Sequence, residues 1–146
     1  MADLKVRWDD DARRYDLVHD DDDQPALDDG VVHTAVIAAV LSWGRAREGD
    51  PLPGFDGDRK GHWADPYDPR GRKGSLCWLL TGRIITPRTL ADAQSYLDQA
   101  LATLVPDWIA SYQVRVWRRG ITTIAAVADL ILPDGREMSV DFDSLI

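Results

Sequence analysis

The side chains with catalytic or ligand-binding chemistry gather between Gly54 and Leu80, in the run GFDGDRKGHWADPYDPRGRKGSLCWLL. Asp56, Asp58, His62, Asp65 and Asp68 are the residue types of a metal-dependent hydrolase, and Ser75 and Cys77 carry nucleophilic atoms. None of them sits in the pattern its chemistry requires. A zinc site asks for several His or Cys at ligand spacing, whereas His62 has no second His near it in sequence. The acids lie on a loop, where no helix or strand holds them rigid. Ser75 lacks the G-x-S-x-G elbow, and Cys77 has no local activating base beyond the loop charges. Neither of the glycine-rich phosphate cradles, G-x-x-x-x-G-K-[ST] or G-x-G-x-x-G, occurs. Asp20 to Asp23 lack the alternating acids and central Gly of a calcium loop. His33 has no second ligand at helical spacing, so it reads as a satisfied or surface histidine. The residues therefore predict no catalytic site, no metal and no cofactor, and a protein that is not an enzyme.

The same run still needs an explanation. It is rich in Gly, Asp, Pro and Arg, which excludes a regular helix or central strand, but a flexible linker would lack Phe55, Trp63 and Tyr67. The expectation is a long ordered loop over 44–74, folded against something and functional. Gly57-Asp58-Arg59 and Gly71-Arg72-Lys73 read as turns whose Arg and Asp side chains tie the loop to itself or to a partner. Cys77 is the single cysteine, which excludes an internal disulfide; its ordinary reading is a small buried apolar residue.

The loop is basic in an otherwise acidic chain. The formal net charge is −8, yet Met1 to Gly30 holds eleven Asp against four Lys plus Arg, and Arg59 to Arg83 holds six Lys plus Arg against two Asp. An electrically polarised molecule of this kind suits docking onto a partner or another copy. Nucleic acid is a poor fit for a net acidic chain whose basic residues fall in one loop. Val31 to Trp43, the most apolar stretch, is too short and too polar to span a bilayer. The start, MADLKVRWDD, lacks the features of a signal peptide, which predicts synthesis in the cytoplasm.

The scaffold expected around the loop is one domain, residues 1–146, of the α+β class. Leu4 to Trp8 and Arg14 to His19 alternate as an N-terminal β-hairpin. Val31 to Trp43 reads as a helix that is apolar nearly all round, with Asp29 as its N-cap and Gly44 closing it; such a helix is buried on more than one side. Ser75 reads as the cap of a short helix that Gly82 stops. Thr86-Pro87 opens a clear amphipathic helix through Leu90, Ala93, Leu97, Ala100, Leu101 and Leu104, giving two to three helices in all. Tyr112 to Arg118, the two-faced apolar run Ile121 to Leu132, and a strand carrying Met138, Val140 and Phe142 then form an antiparallel three-stranded meander. The middle run is its central strand, with a neighbour expected over one face.

In this order, K-V-R-W-D, D-D-G-V-V-H-T-A-V-I-A-A-V-L-S, G-D-R-K-G-H-W-A-D, G-S-L-C-W-L-L, T-P-R-T-L-A-D-A and the late P-D-G turn resemble the Mu-type phage baseplate wedge family. The resemblance spans nearly the whole chain and is most specific at Gly57 to Asp65 and Gly74 to Leu80. At His62 the chain departs from the family, which usually carries a second aromatic there. The resemblance implies a structural virion protein of a contractile tail, similar in role to the small wedge protein beneath the sheath of T-even phages. Such a protein joins the inner baseplate ring to neighbouring wedge, tube or sheath subunits, in copies that follow sixfold symmetry. The site expected on this basis is a clamp of Arg59, Lys60, Trp63, Asp65, Arg72 and Lys73 on a neighbouring wedge protein, with an edge of the meander offering strand pairing to sheath. Two alternatives remain open: a tail-associated cell-wall hydrolase acting through Asp65 or His62, and a free acidic protein-binding module.

Overall fold

The backbone runs β1 (Asp3–Asp9), β2 (Arg14–Asp20), α1 (Asp29–Leu41), α2 (Pro87–Ala102), β3 (Ser111–Arg118), β4 (Ile124–Ile131) and β5 (Glu137–Phe142), an α+β chain. The computed structural model describes residues 3–9, 14–20, 29–54, 56–61, 63, 65–67 and 74–145. Two short 3-10 turns, Asp65–Tyr67 and Cys77–Leu80, lie between the helices. β1 and β2 pair antiparallel, with Asp3 opposite Asp20 and Asp9 opposite Arg14.

The C-terminal sheet is the expected meander, ordered β3-β4-β5. Its register sorts the side chains. Val114 lies opposite Ala128, and Ala128 opposite Val140, so these residues share the inner face with Val116, Ala126, Leu130 and Phe142. α1 supplies Val32, Val36, Ile37 and Val40 to the same core, and α2 supplies Leu97 and Leu101. Small side chains at Ala126 and Ala128 leave room for the two helices to approach the sheet. Burying a side chain such as Leu97 or Leu101 stabilises the fold by about 1.5–3 kcal/mol, and both are fully enclosed. A second cluster of Leu80, Ile85, Ala93 and Ile124 joins the Cys77–Leu80 turn to the start of α2 and of β4.

α2 starts where its sequence signal says. Thr86 is extended, its hydroxyl accepts from the backbone N–H of Thr89, and Pro87 occupies the first turn. Three other expectations are corrected. α1 ends at Leu41 rather than Trp43, because Ser42 and Trp43 are drawn into pairing with Ser75. The second apolar side of α1 is covered only in part: Ile37 is buried within the chain, where α1 packs on α2, β1 and β5, but Leu41 is 40% exposed. β4 begins at Ile124 and not at Ile121, since Arg119 N and Gly120 N both donate to Thr123 O and close a tight turn.

The outer face of β4 also needs less cover than its sequence suggests. Ala125 and Val127 are buried there, in rows shared with Trp117 and with Arg115 and Asp141. Asp129 on that face accepts from Ser139 Oγ at 2.6 Å and from Arg115 at 3.1 Å. These contacts, the Ser139 hydroxyl first, hold its carboxyl below the ordinary carboxylate value. Among the described residues no helix is long and apolar enough to cross a membrane.

Candidate functional site

The central loop hangs from a lock between the end of α1 and the Cys77–Leu80 turn. Ser75 N donates to Ser42 O at 2.9 Å, Gly44 N donates to Ser75 O at 2.8 Å, and Trp43 and Ser75 form a parallel bridge. Trp78 Nε1 closes the lock by donating to Gly44 O at 2.7 Å. Ser75 is buried, and its hydroxyl donates to Val40 O while accepting from Cys77 N. The residue just before the 3-10 turn is Leu76, which makes no capping bond; Ser75, one residue further back than expected of a cap, supplies the hydroxyl that accepts from the turn's first N–H. Gly74 is required by the close approach. Its φ is +83°, and a Cβ there would lie 2.6 Å from Ser42 O and 2.8 Å from Gly44 N.

Beyond the lock, the described half of the loop is tied to itself. Ala46 N donates to Arg59 O at 2.9 Å, and the Arg59 guanidinium donates to Arg47 O at 3.1 Å. Asp58 accepts from Lys60 N at 2.9 Å and from Lys60 Nζ at 3.0 Å. These bonds, the backbone one first, hold the Asp58 carboxyl below its ordinary value. They also fix Lys60 in the left-handed region, at φ 57°, which non-glycine residues seldom adopt. The Lys60 ammonium sits 4.7 Å from the centre of the Trp43 ring, a cation–π distance. Arg47 ties the loop to α2 by donating to Gln99 Oε1 at 3.0 Å. Between the loop base and α2 lies a cleft of about 480 Å³, lined by Arg45, Arg47, Ser75, Tyr96, Gln99 and Thr103 among others.

The six residues expected to form a clamp do not share one environment. Arg59 and Lys60 are half-buried and hold the loop together. Asp65 is buried in the Asp65–Tyr67 turn. Trp63 projects, at 81% exposed, and so does Tyr67, also at 81%. Within the chain alone, both of these aromatics present their rings to solvent, so whatever they fold against is not this chain's own core. Arg72 and Lys73 lie outside the described residues, as do Phe55, His62 and Asp68. Helical periodicity assigns Trp43 to the core, yet it is 60% exposed and joins the loop surface through Lys60. Only the tertiary bridge to Ser75 reveals this, and no local signal does.

Chemically, this surface offers aromatic faces, guanidiniums and an ammonium on a fixed backbone, which are the residue types of interface anchors. Among the described residues, no group of three or more His, Cys, Asp or Glu side chains is placed to hold a metal ion.

The chain is similar in sequence to known proteins. A family model described as "Phage protein GP46" matches residues 32–137, a span that runs from within α1 through the loop, α2, β3 and β4 to the start of β5. The chain is 32% identical over 143 residues to the "Baseplate protein gp46" of Escherichia phage Mu, covering 97% of this chain and 95% of that protein. It is 37% identical over 81 residues to the "Mu-like prophage FluMu protein gp46" of Haemophilus influenzae, covering 55% of this chain and 59% of that one. With a family model matched over most of its length and a relative alike over nearly all of it, the chain belongs to the phage GP46 family, the Mu-type baseplate family.

Proposed function

We propose that the chain is a structural component of a contractile phage tail baseplate, joining the inner baseplate ring to neighbouring wedge, tube or sheath subunits. The observation that carries this reading is the near-full-length likeness to a Mu protein named for the baseplate. The loop geometry supports it: a self-tied loop on a buried lock holds Trp63 and Tyr67 out in solvent, where a neighbouring wedge protein can enclose them. Trp63 is the anchor of this contact, with Arg72 and Lys73 adding charge to it. Arg59, Lys60 and Asp65 act by holding the loop in shape. The β1–β2 segment is an N-terminal hairpin in the same domain, and most of the acidic excess of the first 30 residues follows it, at Asp21 to Asp23, Asp28 and Asp29.

The meander adds a second contact, strand pairing to sheath. Its edge is β5, since Gln94 on α2 donates to Val114 O and occupies a carbonyl on β3. Copies follow the sixfold symmetry of the tail, and the protein resides in the virion. The test is quantitative mass spectrometry of purified tail particles, comparing this chain with sheath and tube subunits. A fixed low copy number, in a multiple of six and retained through stringent washing, is expected. Absence from the particles would overturn the reading and leave a free acidic binding module or a hydrolase to be assayed.

A further inference from the structure

A second apolar surface lies outside the central loop, at the end of the molecule where α2 and β4 begin. Ile84 is 84% exposed and Ile121 is 83% exposed. They come from separate elements but from one place, because Ile85 follows Ile84, Ile124 lies three residues after Ile121, and Ile85 and Ile124 share a buried cluster.

Both isoleucines are held on rigid supports. Thr89 Oγ1 donates to Ile84 O at 2.7 Å, and the burial of Ile85 turns its neighbour Ile84 outward. Ile121 rides the turn closed by Arg119 N on Thr123 O at 3.0 Å. The exposed charges beside these apolar groups are mainly basic: Arg88 in the first turn of α2, Arg118, whose Nε donates to Gly120 O, and Arg119, whose charge is partly offset by Asp143 at 3.3 Å. Isolated exposed isoleucines are common, but two at one end of the molecule with several Arg around them have the composition of an interface centre.

We infer that this end docks a second baseplate protein, different in sequence from this chain, through a surface with an apolar centre and an acidic rim. Charge complementarity selects the acidic rim. A different chain is favoured over a second copy because a chain bearing both halves of a head-to-tail contact would associate with itself ahead of assembly. The inference rests on the baseplate reading, and its test separates the two.

The test is tail-particle incorporation, measured by mass spectrometry against sheath, for wild type and for an Ile84→Asp/Ile121→Asp variant. Both positions are exposed, so the purified variant should melt at the wild-type temperature. Its incorporation should fall by about tenfold or more. Arg88→Glu/Arg118→Glu should lower incorporation too, whereas Arg88→Lys/Arg118→Lys, which keeps the charge, should stay near wild type. Wild-type incorporation of the folded Ile variant would overturn this inference and leave the baseplate reading intact; absence of the wild-type chain would overturn the baseplate reading itself. Concentration-dependent self-association of the purified chain, abolished by the Ile variant, would overturn the choice of a different chain as partner.

Discussion

At the level of single residues, Gly74 is the least replaceable position in the loop lock. An alanine there meets two backbone atoms that cannot swing away, and it must also adopt a φ of +83°. Gly57 is a built-in control, with a φ of +69° and nothing within 4 Å of the point where a Cβ would stand. Gly57→Ala should therefore cost about 1 kcal/mol, the conformational part alone, and Gly74→Ala about 2–3 kcal/mol or more. Urea denaturation of the two variants measures both; equal costs would show that the lock is looser than described. Cys77, beside the lock, gives a pH signature. Burial pushes its thiol above the ordinary 9.0, so its share of stability is complete below pH 9.0 and is lost as pH rises through the folded value. Tyr96 and Tyr112 are raised in the same way, by burial first, from 10.0. Denaturation midpoints should fall in two stages above pH 9, and Cys77→Val should remove only the earlier one. At this scale the turn at Gly57-Asp58-Arg59 was legible in the sequence, but Lys60 as the partner of Asp58 was not. The role of Ser75 was not, because its partner Val40 O lies far away along the chain.

Elements were legible where local chemistry decided them. Thr86-Pro87 fixed the start of α2 because both the side-chain acceptor and the missing N–H act within one turn. Thr86→Ala should cost about 1 kcal/mol by losing the bond to Thr89 N, which thermal or urea unfolding would register; Thr86→Ser, keeping the oxygen, should lose much less. The end of α1 and the start of β4 were misread for a shared reason. Apolar periodicity continues through Trp43 and from Ile121, but hydrogen bonds made elsewhere stop the element earlier: Ser75 captures the chain after Leu41, and Thr123 O captures the turn before Ile124. In each case an apolar residue that the pattern assigned to the interior, Trp43 or Ile121, ends on the surface. A tertiary bridge at the end of α1 and a local turn before β4 override periodicity at these element ends, and the residues they displace stay exposed on the free chain.

For the whole molecule, the loop lock separates two quantities that assembly defects usually mix, folding stability and docking. The loop was recognisable as a unit from its composition and flanking motifs. Which of its side chains hold it and which face outward was not, since Arg59, Lys60 and Trp63 are equally plausible anchors until Asp58, Arg47 and Trp43 are placed beside them. With the lock formed in the free chain, docking through Trp63 requires little ordering of the described loop, and the favourable energy of enclosing the ring is retained in the contact. Trp63→Ala should therefore leave the melting temperature within about 1 °C of wild type, as expected for an exposed site, while weakening assembly by about 2 kcal/mol. Gly74→Ala should lower both. Measuring melting temperature and particle incorporation side by side distinguishes the cases. If Trp63→Ala destabilised the free chain as much as Gly74→Ala does, the ring would be a support for the loop and the docking surface would have to be sought elsewhere; if it changed neither quantity, the loop would have no part in assembly.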